Sequence, residues 1–285
     1  MSELRTLPSN RAVRLRNERC PYCGVALTKA NTTKEHIIAR NLVPRGKLDA
    51  QWNLILNACA TCNVRKSALE DSVAAITMQP DALGRNAVAD AALPAEARRK
   101  GKAFSPRTRR AVAHSKEHWN ATVRLMANAT ATMGFTAPPQ IALGRVYQLA
   151  AFQVAGFFYW FSNGRFCPGE FRPVMASIRS DWGNAVQRTF MEQVVSWHGR
   201  VVGRAAGGFF KVAIRRHARL LCWSWALEWN HNLRVVGYMG EPAAINECAS
   251  ALPALRTHTL GQFPLGTLTF REDVPLADND DKLFV

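Results

Sequence analysis

The chain has 285 residues, a formal net charge of +16 at pH 7 and 48% hydrophobic residues. This length and apolar content predict one sizeable core beside a small module, arranged as one or two domains. The most apolar run, 146–161, is shorter than the about 20 residues of a spanning helix, so we expect no membrane partner. The positive charge favours a polyanionic partner, and nucleic acid is the natural candidate.

Seven cysteines and no cleavable signal segment predict a reducing cytoplasmic location. The first 19 residues hold five arginines against two glutamates. This charge predicts either a phosphate-contacting arm or a solvated tail.

Two Cys-x-x-Cys pairs follow: Cys20 with Cys23, and Cys59 with Cys62. Paired thiolates at this spacing suit tetrahedral Zn²⁺, and a closed Cys₄ shell makes that zinc structural. The residues between the pairs are too few for an apolar core, so metal binding would supply most of the folding free energy of this module. The alternatives are two disulfides or four unrelated buried thiols.

Residues 25–28 and 33–39 have the pattern of short strands, and 63–78 has helical character with apolar residues on one side. The predicted order is strand, strand, helix, with His36 on the second strand. Alternation along that strand sends the side chains of Glu35 and His36 to opposite faces unless the backbone bends.

Residues 20–66 resemble the HNH, or ββα-metal, endonuclease family. The resemblance rests on the zinc pairs, the Glu35-His36 dipeptide, Asn53-Leu54, and a Cys62-Asn63 pair followed by Lys66, all in the expected order. The subtype is similar to zinc-bearing McrA-like enzymes and junction-resolving phage endonucleases. The resemblance implies a biological role in phages or in restriction and defence.

The resemblance also implies the roles of individual residues. His36 would be the general base, Glu35 and Asn63 the ligands of a catalytic Mg²⁺ or Mn²⁺ ion, and Asn53 the residue that orients the imidazole ring. The spacing from Asn53 to Cys59 is one residue longer than the spacing in the family, so Asn57 competes for the orienting role. Lys66 is expected either to contact phosphate or to be a solvated charge.

Residues 81–137, rich in alanine and arginine, are predicted to form a basic helical linker. Between 98 and 124, nine basic residues face one acidic residue. This excess favours a surface that tracks nucleic acid over a merely solvated helix. The candidate contacts are Arg98, Arg99, Lys100, Lys102, Arg107, Arg109 and Arg110.

Residues 138–271 are predicted to form a C-terminal domain that contains a buried helix over 141–162, an amphipathic helix over 181–198 and a β-meander over 208–240. Trp223, Trp225 and Trp229 share one face of that meander and are expected to be core residues, with base stacking as the alternative. Residues 272–285 are predicted to be an acidic tail, either disordered or folded back on the basic surface.

Together these features predict an α+β protein that acts as a metal-dependent endonuclease on DNA, with RNA as a further possible substrate. One alternative is a zinc module that binds nucleic acid without cutting it. Another is a defence effector whose C-terminal domain receives a signal or a regulatory protein before the nuclease fires. The oligomeric state is left open.

Overall fold

The structure is a computed structural model with a mixed α+β fold. The residues that it describes are 4–7, 11–48, 52–81, 83–126, 129–178, 182–253, 257–263, 266–271, 273–275 and 278–285.

Five α-helices lie within the described residues: α1 Ala60–Thr77, α2 Leu93–Gly101, α3 Leu143–Phe161, α4 Ala185–Val195 and α5 Pro242–Ser250. The described strands are β1 Arg5–Thr6, β2 Val13–Arg14, β3 Thr32–His36, β4 Leu54–Cys59, β5 Phe104–Ser105, β6 Arg110–Ala111, β7 Glu117–Met126, β8 Ala129–Ala137, β9 Glu170–Ile178, β10 Trp182–Asn184, β11 His198–Ala205, β12 Phe210–Arg216, β13 Cys222–Trp229, β14 Leu233–Gly240, β15 Thr257–Phe263, β16 Gly266–Arg271 and β17 Asp273–Pro275.

The largest sheet has six strands in the order β1-β11-β12-β13-β14-β9. Its strands pair antiparallel except at one edge, where β1 runs parallel to β11. The predicted meander is confirmed as β12, β13 and β14. Trp223, Trp225 and Trp229 are all buried, which confirms their core role.

The module around the cysteine pairs contains a three-stranded sheet in the order β2-β4-β3, followed directly by α1. The predicted order of strand, strand and helix is present, but the strands are β3 and β4. Residues 25–28 form only one isolated bridge, between Ala26 and Arg19. His36 is therefore the last residue of the first strand of the hairpin, one strand earlier than expected.

The helical prediction for 81–137 is wrong over most of its length. Of the residues that the structure describes in this range, only the nine of α2 are α-helical, and β7 pairs with β8 in an antiparallel hairpin. The β-branched residues Thr122 and Val123 in β7 and the Ala-Thr-Ala-Thr run over 129–132 in β8 explain the difference, because β-branched residues favour strands. The high alanine and arginine content of this region favours helix, and a prediction based on composition is therefore wrong here.

Helix α3 lies between the cysteine-bearing module and the six-stranded sheet, and one hydrophobic cluster runs through all three. It contains Trp52 and Leu56 of the module, Phe157 of α3, and Phe210 and Trp229 of the sheet. A second cluster covers the other face of the sheet with residues from α4, α5 and the C-terminal segment. The core is thus continuous across the boundary near 138 that the sequence predicts.

Part of the predicted acidic tail packs on this second face. Leu283 and Phe284 are buried, Arg234 binds Asp281 with a nitrogen–oxygen distance of 2.6 Å, and Arg215 donates to the carbonyl oxygen of Leu283. The tail therefore folds back at these residues, but onto the six-stranded sheet and not onto the basic surface at 98–124. Glu272, the first residue of the predicted tail, lies outside the described residues. Among the described residues, no helix combines the length and apolarity needed to cross a bilayer.

Candidate metal centre and catalytic site

The four cysteines of the two pairs converge on one point. Their sulfur atoms all lie within 4.8 Å of one another, and the Sγ atoms of Cys23 and Cys59 are 3.6 Å apart. Four sulfurs bound tetrahedrally at zinc's bond length would be about 3.8 Å apart. All seven cysteines are free thiols, so the disulfide alternative is wrong for this structure. The cluster could hold a zinc ion.

Backbone geometry forms the first cysteine turn. The N–H of Gly24 donates to the carbonyl of Cys20, and the N–H of Cys20 donates to the carbonyl of Val25, each at 2.9 Å. Gly24 has a φ of 77°, a conformation that residues with a Cβ rarely adopt. The second pair is placed differently, because Cys59 ends β4 and Cys62 lies in the first turn of α1. A bound ion would therefore join the turn, the strand and the helix.

His36 lies on the more open face of the small sheet. It pairs with Ile55 of β4, and Arg14 of β2 pairs with the same Ile55 from the other side. Side chains in register share a face, so His36 and Arg14 flank Ile55. Lys34 lies on this face two residues before His36. Arg14, Lys34 and the nearby Arg40 are exposed, and His36 is half-buried.

These neighbours affect the protonation of the imidazole. Burial lowers the pKa of His36 below the ordinary histidine value, and the positive charges of Arg40, Lys34, Lys66 and Arg14 lower it further. Because the ordinary value is already below 7, His36 is neutral at pH 7 and has a lone pair that can accept a proton.

Three side chains hold the backbone that carries His36. Lys66 of α1 donates to the carbonyl of His36 at 3.0 Å, and Gln153 of α3 donates to the carbonyl of Ile37 at 3.2 Å. Asn53 donates to the carbonyl of Ile38 and accepts from its N–H, at 2.7 and 3.3 Å. Asn53 thus fixes the segment after His36, and the hydrogen bonds of its side chain go to this backbone and not to the imidazole ring.

Glu35 lies on the opposite face of β3, beneath α1, as alternation predicted. Its carboxylate is buried and pairs with the Lys66 ammonium group at 2.6 Å, and Tyr22 donates to it at 3.3 Å. Lys66 is fully buried and also pairs with Glu70. Burial alone would lower the pKa of Lys66, but the two carboxylates raise it, so the ammonium group remains charged.

This arrangement corrects the expectation for Lys66, which is neither exposed to phosphate nor solvated. It also bears on the catalytic ion. Asn63 donates to the hydroxyl of Thr33 at 3.0 Å, which brings it to the same side of β3 as Glu35. Lys66 and Tyr22 both contact Oε1 of Glu35, so the charge of this carboxylate is already paired, and the described residues show no cluster of metal ligands that supports a divalent ion at Glu35 and Asn63.

Asn57, the competitor for the orienting role, has other partners. Its N–H donates to the side chain of Asn17 at 2.8 Å, and Asn17 donates back to its carbonyl at 2.8 Å. Asn57 therefore ties the N-terminal segment to β4.

The basic residues over 98–110 divide into two groups. Arg99 pairs with Glu96, Arg107 pairs with Glu117, and Lys100 is buried near Asp71. The other four candidates are exposed and form no ion pair within the described part of the chain: Arg98, Lys102, Arg109 and Arg110. This surface is smaller than the sequence predicted.

Sequence reasoning missed several residues that build the site. Glu70 could have been found, because it follows Lys66 by four positions on a helix, the spacing at which side chains meet. Tyr22 and Gln153 carried no such signal, since their contacts with the site depend on the tertiary fold.

Comparison of the chain with protein-family models, with curated proteins and with solved structures found no match.

Proposed function

We propose that this protein is a nuclease that hydrolyses phosphodiester bonds in DNA, with His36 as the general base and the Cys₄ cluster as a structural zinc site. One observation carries the proposal. The neutral imidazole of His36 lies on an open sheet face beside Arg14, Lys34 and Arg40. A proton acceptor surrounded by cations suits an anionic phosphodiester substrate.

In the proposed reaction the exposed arginines bind the nonbridging oxygens of the phosphate. His36 removes a proton from a water molecule, whose oxygen attacks phosphorus. One ester bond between phosphorus and oxygen breaks and the leaving oxygen takes a proton from solvent, which leaves a phosphomonoester and a hydroxyl end, while His36 returns its proton to solvent. Lys66, Gln153 and Asn53 donate hydrogen bonds to the backbone carbonyls of residues 36–38, and these bonds fix the imidazole relative to the bound phosphate.

A divalent ion enters this proposal only through the family resemblance. Mg²⁺ or Mn²⁺ at Glu35 would have to share the carboxylate with Lys66, so the proposed reaction includes no metal-bound step. The assay therefore compares Mg²⁺, Mn²⁺ and a chelator, with supercoiled plasmid and RNA as substrates. Nicked and linear products are resolved on a gel.

The test variant is His36→Ala. We expect its cutting rate to fall by about 10²- to 10⁴-fold, the range that general bases contribute, with its zinc content unchanged. His114→Ala is the matched control, since His114 is an exposed histidine outside the cysteine-bearing module. Cutting by His36→Ala at the wild-type rate would overturn the assignment of the base.

A second candidate function is a zinc module that binds nucleic acid without cutting it. The ion pair between Glu35 and Lys66 favours it, because the charge of this carboxylate is already paired within the protein. Retained binding in a gel-shift assay with no cutting under any metal condition would select this function over the nuclease.

A further inference from the structure

A cavity of about 520 Å³ lies where three parts of the chain meet. Arg5 reaches it from the edge of the six-stranded sheet, residues 15–19 form the side that leads into the first cysteine turn, and Tyr159 and Trp160 come from the last turn of α3. Asn163 and Gly164 complete the lining. This volume lies in the range of cavities that bind small molecules and cofactors.

The charge of the lining favours an anion. Three arginines, Arg5, Arg16 and Arg19, face one acidic residue, Glu18. The Nε atom of Arg5 is buried and has no hydrogen-bond partner. A buried donor without an acceptor is costly, and the positive charge of the same guanidinium favours an anion in the cavity that Arg5 lines.

The aromatic side of the cavity favours a planar group. The guanidinium carbon of Arg5 lies over the Trp160 ring, 5.8 Å from its centroid. The pKa of Tyr159 is raised, chiefly because of burial, so its hydroxyl remains protonated and able to donate. Asn17 already donates to two backbone carbonyls, whereas the exposed Asn163 lies at the rim. Guanidinium and indole planes are surfaces on which nucleic-acid bases stack.

We infer that this cavity binds a phosphorylated nucleoside, with the phosphate on Arg16 and Arg19 and the base stacked on the Arg5 guanidinium, which lies over Trp160. Nothing in this inference requires the chain to cut nucleic acid. The same chemistry could come from a free nucleotide or from one nucleotide of a strand.

The test uses the full-length protein, titrated by calorimetry and followed by thermal shift. The probes are ATP, GTP, AMP, adenosine, inorganic phosphate and a 5′-phosphorylated oligonucleotide. We expect at least one phosphorylated probe with a base to bind and to raise the melting temperature, because a ligand that binds only the folded state stabilises it. Adenosine and inorganic phosphate should each bind at least about tenfold more weakly, since each lacks one half of the recognised chemistry.

The variant that tests the site is Arg16→Ala, because Arg16 is exposed at the cavity and its removal leaves the core intact. Affinity for the nucleotide should fall about tenfold. Arg219→Ala is the control, since Arg219 is exposed, does not line the cavity and is not one of the candidate nucleic-acid contacts.

Binding of the free nucleotides identifies a small-molecule source, and binding of the oligonucleotide alone identifies a strand. Either result supports the inference if Arg16→Ala weakens the binding and Arg219→Ala does not. Three outcomes would overturn it: no binding by any nucleotide or by the oligonucleotide at millimolar concentration, equal binding of inorganic phosphate, or equal loss in both variants. None of these outcomes depends on whether His36→Ala cuts DNA.

Discussion

At Lys66 an ammonium group with no access to solvent lies between the carboxylates of Glu35 and Glu70. Burial raises the pKa of Glu70 to about 7, so this carboxyl is partly protonated near neutral pH. The buried trio of Glu35, Lys66 and Glu70 therefore carries less excess negative charge. Lys66→Met would leave two buried carboxylates without a cation. We expect a loss of about 3–5 kcal/mol in the free energy of unfolding, measured by denaturant titration.

Lys34→Met is the matched control for this variant, because Lys34 is exposed one residue before Glu35. Its effect should remain within about 0.5 kcal/mol. Equal stability of the two variants would show that the buried trio does not exist in solution.

The pKa of His36 is a second property at this scale. Burial and the neighbouring cations lower it, and Arg40 is the largest of the charged contributors. Removal of that cation by Arg40→Ala should raise the pKa, so that the imidazole becomes protonated at a higher pH than in the wild type. A histidine titration followed by NMR measures this shift directly, and a pKa that falls or stays constant would contradict the electrostatic account.

Among the elements, the first cysteine turn, β4 and α1 meet at the four-cysteine cluster. We expect the purified protein to hold one zinc ion per chain, measured by elemental analysis. Cys59→Ser should lose the zinc and lower the melting temperature, because binding of a structural metal is coupled to folding. Cys167→Ser, outside the cluster, should keep the zinc. Full zinc content in Cys59→Ser would mean that the metal lies elsewhere.

The close packing of strands β9 and β14 leaves no room for a side chain larger than that of glycine at position 237. A Cβ at Gly237 would lie 2.4 Å from the carbonyl oxygen of Arg172 and 2.3 Å from Trp225. Gly237→Ala should therefore destabilise the protein by about 1–3 kcal/mol in a denaturation experiment.

The comparison is Gly144→Ala, in α3, where no atom within 4 Å would meet the new methyl group. Alanine favours helix over glycine, so this variant should be as stable as the wild type or more stable. A similar loss in both variants would indicate that the sheet does not pack closely at Gly237.

Elements with a strong pattern could be predicted from sequence. The run 146–161 is apolar enough to predict α3, and strict alternation from Trp223 to Trp229 predicts β13. Prediction failed where local signals conflicted, as in β7 and β8, whose arginines and alanines indicate helix while their threonines favour strand. The pairing of β3 with β4 was missed because residues 37–53 separate the two strands in sequence and carry no hydrophobic periodicity.

At the scale of the whole molecule, the cysteine-bearing module and the six-stranded sheet share one core. Asn230 of the sheet region donates to the carbonyl of Leu42 and to Thr77, and β1 adds a strand to the sheet edge. A fragment of residues 1–80 would expose Ile37, which packs closely against Gly156 of α3. We expect this fragment, even with zinc, to lack the cooperative thermal transition of the full chain.

Calorimetry of the fragment and of the full chain checks this prediction. A sharp transition in the fragment would mean that the zinc site alone suffices to fold it.

The candidate site was predictable to the extent that its residues lie close together in sequence. The Cys-x-x-Cys spacing predicted the four cysteines, and the structure brings their sulfurs together. The partners of Asn53 and Lys66 were not predictable, because an exposed lysine and a buried one look alike in sequence until the fold is known. Tertiary contacts from α3, such as that of Gln153, set the rest of the site.

The supports of the backbone at residues 36–38 also differ in when they are synthesised. Asn53 and Lys66 follow their targets by 15 and 30 residues, whereas Gln153 follows Ile37 by 116. Trp229, which donates to Gln153, comes a further 76 residues later. Because chains fold progressively from the N-terminus as they are translated, the four cysteines can bind their ion early. The strand that carries His36 gains its last support only when four-fifths of the chain, roughly, has left the ribosome.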